Sequence, residues 1–349
     1  MQEYLYNLAA GKHRGIIHEI IKIPLFALSL LYGALVSLLI CFYRIRPCRL
    51  NCKVISIGNI TLGGTGKTSL VEYVARTLRQ EGHKAAVLSR GYKHRVVSQV
   101  EMGDEPFMLS QKLCDIPLIV DADRIKGARR AINEYGVDTV VLDDGFQQWK
   151  LKKDLEIVTI DTTNPFGNKE LLPRGILREP LSSLKRADIF VLTKTNLNPE
   201  ISELKRFLSG INPGAQVFLS VHNPLGFYKV DKPEESIAQG TLKKESVTLF
   251  CGIGDPASFE NLVRNLGINI GLTFRFRDHY NYTQADLVKI AKDSQEKGIN
   301  TIITTEKDAA RLANLQLKTY NLQLLVLRIT IEIKDAEEFN RRLLRIYSG

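Results

Sequence analysis

The stretch "VISIGNITLGGTGKTS", Val54 to Ser69, constrains this chain more than any other. It reads as a short apolar strand, a glycine-rich turn and the opening of a helix. Gly63, Gly64 and Gly66 let backbone N–H groups turn toward one point, and those donors, with the N-terminus of the following helix, favour a polyanion. Lys67 can reach the β- and γ-phosphates of a nucleotide, and Thr68 can ligate Mg²⁺. The usual pattern, G-x-x-x-x-G-K-[ST], has glycine where Thr61 stands. That position leads into the loop rather than touching phosphate, so Thr61 is expected in ordinary backbone geometry. The expected nucleotide-binding run is Thr61, Gly63, Gly64, Thr65, Gly66, Lys67, Thr68 and Ser69.

The surrounding texture supports this reading. Continuous apolar runs, which suit strands covered on both faces of a parallel sheet, occur at 54–57, 85–88, 118–120, 139–142, 157–160, 189–192, 217–220, 247–250, 301–304 and 324–327. Helical patterns separate them at 68–80, 125–135, 201–208, 256–266, 284–297 and 336–347. This is α/β order. Thr283 with Asp286 spells a capping box at one helix start. Residues 222–246 are polar, carry Pro and Gly, and lack strong helical periodicity. The expected division is a membrane-associated segment at 1–50, a nucleotide-binding domain at 51–222 and a smaller α/β lobe at 223–349.

Charge and cysteine content narrow the partners. The 349 residues carry a formal charge of +10, which favours an anionic partner: nucleic acid, an acidic membrane face or a phosphorylated substrate. No nucleic-acid module is recognisable. The five cysteines are scattered and odd in number, which argues for free thiols in a reducing compartment rather than a disulfide framework. Ile23 to Tyr43 carries no charge, and at ~1.5 Å per residue it reaches about 30 Å, roughly the bilayer core. Basic residues flank it on both sides, so charge barely orients it. Pro24 and Gly33 interrupt it, leaving both a spanning helix and an interfacial one open; a buried core helix is the plain alternative.

Other motifs carry candidate chemistry. "VDTVVLDDGFQ" is an apolar strand ending in Asp143 and Asp144, where a metal-binding carboxylate belongs in such sheets. In "GDEP", Asp104 either caps a helix or accepts a hydroxyl proton in a nucleotide cleft. In "DADR", Arg124 either neutralises phosphate or forms a surface ion pair. "FRFRDHYNYT" sets His279 beside two arginines and an aspartate, a phosphate-binding or general-base grouping. "LLPRGILREP" mixes Arg174 and Arg178 with apolar residues and suits an acidic amphiphile. "TTEKD" ends a further strand with charged groups.

Together "GNITLGGTGKT", "SRGY", "GDEP", "DADR", "LDDGFQ", "LLPRGILREP", "DHY" and "TEKD" resemble the tetraacyldisaccharide 4′-kinases of lipid A synthesis, in order and over most of the chain. Threonine at position 61 is ordinary in that family, whereas Ser69 replaces a frequent proline. The resemblance implies a membrane-associated kinase at the cytoplasmic face of the bacterial inner membrane. It would move the ATP γ-phosphate to the 4′-hydroxyl of a tetraacyl glucosamine disaccharide 1-phosphate, with no obligate protein partner. It implies Asp104 as catalytic base with His279 as its partner, alongside Lys67 and Arg124. Glu105 and Asp143 or Asp144, with Thr68, would form the Mg²⁺ environment, and Gln147 would support the phosphates. The competing reading is a membrane-recruited GTPase or ATPase switch. "VLTKTN" superficially suits it, but Asn196 stands where an aspartate would pair with guanine.

Overall fold

The computed structural model describes residues 16–91, 96–97, 100–101, 103–198, 200–312, 315 and 322–348. Tyr92 of the "SRGY" motif and the basic residues Lys12 and Arg14 lie outside them. In chain order the elements are α1 (Ile16–Ile45), β1 (Lys53–Gly58), α2 (Lys67–Gln80), β2 (Ala85–Ser89), β3 (Val96–Val97), β4 (Val100–Glu101), α3 (Asp104–Lys112), β5 (Leu118–Val120), α4 (Arg124–Tyr135), β6 (Thr139–Asp143) and β7 (Leu155–Asp161). They continue as β8 (Ile189–Thr193), α5 (Ile201–Ile211), β9 (Gln216–Lys229), β10 (Lys232–Ile237), β11 (Ser246–Cys251), α6 (Pro256–Asn265), β12 (Asn269–Arg275), α7 (Gln284–Glu296), β13 (Thr301–Thr305), α8 (Glu306–Ala310), β14 (Gln323–Ile333) and α9 (Ala336–Leu344).

These elements form two compact units: Met1–Arg90 with Lys112–Val221 and Ile331–Gly349, and Gly91–Gln111 with His222–Thr330. A single cut after residue 222 therefore does not describe them. Residues 331–349 belong with the first unit because α9 returns there, its Phe339 packing edge-on against Tyr73 and Phe218. Residues 91–111 belong with the second, where α3 is tied down by ion pairs described below.

In the first unit, β9, β8, β7, β1, β6, β2 and β5 lie side by side in that order, every neighbouring pair parallel. From β1 the chain moves to β2 on one side, and later to β7 on the other. The carboxyl end of β1 is thus a topological switch point, where open α/β sheets bind ligands. Buried runs such as "AVLS" in β2 and "IVTI" in β7 are apolar because helices cover both faces. Val54, Leu88, Val140 and Leu142 pack with Ala128 and Ala131 of α4. Val158, Ile160, Phe190 and Leu192 pack with Leu204 and Leu208 of α5.

The second unit carries β12, β11, β13 and β14, again parallel, and a β9–β10 hairpin. Side chains alternate along β11: Val247, Leu249 and Cys251 face α6, while Phe250 faces Ile290 and Leu287 of α7. The Thr283–Asp286 capping box is present at the start of α7.

Helix α1 continues through both Pro24 and Gly33. One stripe of it packs on the first unit. Ser29 and Val36 are buried, the Tyr32 hydroxyl donates to the Arg178 carbonyl at 2.9 Å, and Phe26 and Tyr43 take Arg174 and Lys150 over their rings. A Cβ on Gly33 would stand 2.6 Å from Leu171 Cδ1, so the glycine permits close approach rather than breaking the helix. The other face leaves Ile23, Leu28, Leu31, Leu35, Leu38 and Phe42 exposed.

Candidate active site

The phosphate loop follows β1 directly. Gly63 and Gly66 hold φ of 113° and 80°, and Gly66 caps α2 without a side-chain bond, leaving the first N–H groups of the helix uncapped by side chains. Thr65 is buried and anchors the loop from behind, its hydroxyl 2.7 Å from that of Thr159 and its carbonyl accepting from Thr193 Oγ1. Thr61 is absent from the positive-φ residues and bridges Leu177 of the "LLPRGILREP" loop. Leu62 N donates to Ile176 O and Arg178 N to Ile60 O, both at 2.8 Å, so this loop runs alongside the phosphate loop.

That pairing brings Arg178 to Lys67. Arg178 Nη1 donates to both oxygens of Asp144 at 2.8 and 3.0 Å, and Lys67 Nζ lies 3.6 Å from Asp144 Oδ1. Burial opposes ionisation of Asp144, but Lys67 and Arg178 outweigh it and hold the carboxyl below the ordinary carboxylate range. Asp144 sits at φ 55°, in the tight turn "DDGF". This turn can lie on β1 because Gly58 and Gly145 lack side chains. A Cβ on Gly58 would meet Phe146 N at 2.5 Å, and one on Gly145 would meet Ser56 Oγ at 2.7 Å. Asp143 is buried at the end of β6 and accepts from Ser89 Oγ at 3.1 Å. Thr68 and Ser69 open α2, with Thr68 buried.

Arg124 and Gln147 support this set from behind. Asp123 caps α4 by accepting from Ile125 N and Lys126 N, which places Arg124 in the first turn. Arg124 is 3% exposed and donates to the carbonyls of Asp121 and Asp143. Gln147 Nε2 donates to the Asn59 carbonyl and to Glu179, a fully buried carboxylate that also takes Trp149 Nε1 and Arg186. Asn59, Arg178 and Glu179 thus hold the loops together. The sequence pattern had singled out only Arg178 among them, and for a different role.

A second grouping lies in the second unit and contains Asp104, Glu105 and His279. Asp104 opens α3. Its Oδ2 accepts from Arg311 Nε at 2.7 Å and lies 3.6 Å from His279 Nδ1, and Arg311 Nη2 is 3.3 Å from that same nitrogen. Burial works against ionising Asp104. Hydrogen bonds from His279 and Arg311 and the arginine charge prevail, setting its pKa at about 2. Arg311 is itself locked by Asp308 at 2.9 Å and by the Gly252 carbonyl. Asp308 also accepts from Tyr282, Thr305 and Gly252 N. His279 is held at φ 57°. Glu105 pairs with Lys307 of "TEKD" at 2.6 Å. Arg311 is the residue the motifs missed. Its one signal is its place three residues after Asp308, one turn along from a charged strand end.

A strand, phosphate loop and helix, with two cations converging beside a carboxylate, define a P-loop nucleotide-binding protein of the α/β class. The sequence family described as tetraacyldisaccharide-1-P 4′-kinase matches residues 21–348. The tetraacyldisaccharide 4′-kinase of Halothermothrix orenii is 36% identical over 96% of this chain and 95% of its own length, and that of Syntrophus aciditrophicus is 35% identical over 86% of each. LpxK of Aquifex aeolicus, solved in complex with ATP, superposes with a TM-score of 0.75 at 29% identity, covering 93% of this chain and 99% of that one. The chain therefore belongs to the tetraacyldisaccharide 4′-kinase family and is an ATP-dependent kinase. The competing expectation of a nucleotide switch gives way to it.

Proposed function

We propose that this kinase transfers the γ-phosphate of ATP to the 4′-hydroxyl of a tetraacylated glucosamine disaccharide 1-phosphate, a step of lipid A synthesis. The observation that carries the reading is the family match across residues 21–348. The Lys67–Asp144–Arg178 cluster on the phosphate loop supplies the fitting chemistry.

In this reading the loop N–H groups and Lys67 bind the β- and γ-phosphates and disperse the charge of the transferring group. Asp104 accepts the proton of the acceptor hydroxyl. A carboxylate with a pKa of about 2 is a weak base. That suits a loose transition state, in which the hydroxyl proton leaves late. His279 and Arg311 orient Asp104 and keep it ionised. Arg124 and Gln147 hold the "DDGFQ" turn. Thr68, Asp143 and Asp144 offer a hydroxyl and two carboxylates, all hard oxygen donors suited to Mg²⁺, with Glu105 as a further candidate. Among the described residues no group of three or more His, Cys, Asp or Glu could hold a metal. This fits an ion bound by one or two protein oxygens together with phosphates rather than by a protein cage. Mg²⁺ bound with ATP would neutralise phosphate charge.

The exposed apolar face of α1 would lie in the cytoplasmic leaflet of the inner membrane, where the acyl chains of the substrate also reside. Support comes from residues 23–45, which among the described residues are long and apolar enough to cross a membrane and whose apolar window is 17% buried.

The test mixes purified protein, γ-labelled ATP, Mg²⁺ and the tetraacyl disaccharide 1-phosphate. Label appearing in the lipid is expected. ATP consumption with no label in the lipid would refute the assignment.

A further inference from the structure

Asn59 follows β1 and is fully buried, yet it is a polar residue at the switch point of the sheet. Its orientation is fixed by Nδ2, which donates to the Thr61 carbonyl at 2.8 Å. The remaining oxygen, Oδ1, accepts from two cations at once: Lys67 Nζ at 3.2 Å and Arg178 Nη1 at 3.3 Å. Its backbone carbonyl receives Gln147 Nε2 at 3.1 Å, so the residue cannot shift without disturbing the "DDGFQ" turn. A lysine and an arginine brought this close repel each other unless a shared acceptor lies between them.

Asn59 and Asp144 both serve the pair, and they differ in charge. Asp144 is a carboxylate that offsets one positive charge; Asn59 is a neutral amide that orients both cations without cancelling either. A phosphoryl group entering the loop would compete with Asp144 for Lys67, because both are anions. It has no electrostatic reason to displace the amide. We propose that Asn59 is a positioning residue for phosphoryl transfer. It holds Lys67 and Arg178 as one two-cation clamp and, being neutral, subtracts no charge from it. The proposal rests on the reading of Lys67 as a phosphate ligand given above.

Asn59→Ala removes the shared acceptor. Small misplacements of catalytic groups cost up to about 100-fold in rate, so kcat should fall about 10- to 100-fold while KM for ATP changes less than about threefold. Asn59→Asp keeps the volume but adds a carboxylate, and kcat should fall at least as far. In the double variant Asn59→Ala/Lys67→Ala the loss should fall well short of the product of the two single losses, because the amide acts through the ammonium. Melting curves and ATP titrations identify folded variants; if Asn59→Ala does not fold, Asn59→Asp carries the comparison. Turnover within twofold of the parent in a folded Asn59 variant overturns the proposal, as does a double variant whose losses simply multiply. Near-normal turnover in Lys67→Ala would instead overturn the underlying phosphate-loop reading. A merely structural role would lower the melting midpoint without this split between kcat and KM.

Discussion

At the scale of single residues, Asp104 is the sharpest case. Its carboxylate is pinned by a buried arginine that is itself held by Asp308 and the Gly252 carbonyl, Asp308 in turn accepting from Tyr282. Replacing a general base costs about 10²–10⁴ in rate, so on the base role proposed above Asp104→Asn should lower kcat by at least about 100-fold while ATP binding, measured by titration, stays near normal. Arg311→Met tests the neighbour. Without the guanidinium the carboxyl pKa should climb from about 2 toward the ordinary value near 4. The acid limb of kcat/KM should then move upward in pH, whereas the parent keeps its carboxylate ionised well below pH 4. The stability linkage has the same sign. Because the folded pKa is depressed, the stabilisation is present above the unfolded value near 4 and is lost as pH falls toward 2. An unmoved acid limb in Arg311→Met would show that the arginine does not set the state of Asp104. Asp104 and His279 were legible because each sits in a short motif that resembles the family. Arg311 was not. In "DAARL" it reads as an ordinary helix arginine, and only the bonds that Asp308 and Arg311 make to Gly252, just after β11, turn it inward.

Elements were legible where burial is two-sided. Strands such as β6 and β8 are apolar at nearly every position because helices cover both faces, and each appears as a continuous run. The run at 217–220 marks the start of β9, but its continuation into the hairpin, β10 and β12 carry no such signal, for the opposite reason. β10 exposes five of its six residues and reads "KPEESI", while β12 carries polar and charged residues toward solvent, so no apolar run marks either. Gly33 shows how a residue misleads in isolation. Within an apolar helix it looks like an interruption, but its lack of a side chain is what lets α1 meet Leu171. Gly33→Leu should therefore destabilise the protein by about 1–3 kcal/mol through overpacking, despite the better helix propensity of leucine. A thermal melt checks it. An unchanged or raised midpoint would mean that α1 packs elsewhere.

For the whole molecule, the sequence leaves the apolar segment to cross a membrane, to lie along one or to fill the core, and the exposed face of α1 leaves the first two. Length and composition cannot decide, because both arrangements use about 20 apolar residues. Packing bears on it. The stripe through Phe26, Ser29, Tyr32, Val36 and Tyr43 engages Arg174, the Arg178 carbonyl and Lys150, which are polar partners spread along the length of the helix. A bilayer normal to that axis would immerse the Arg174 and Lys150 cations in hydrocarbon, at a cost of several kcal/mol each. A helix lying in the interface avoids this and presents Leu31 and Leu38, each 68% exposed, to the acyl chains. The +10 charge adds attraction to an anionic leaflet, but that part is screened within about 10 Å at moderate salt. Two contributions should then separate in a vesicle sedimentation assay. On phosphatidylglycerol vesicles, binding should weaken with added salt and level off rather than vanish, the residue being apolar insertion. Leu31→Glu/Leu38→Glu should abolish that salt-resistant fraction while leaving the melting midpoint within about 1 °C, because exposed side chains contribute little to folding. Persistent salt-resistant binding in the double variant, released only by detergent, would show that the helix crosses the bilayer instead.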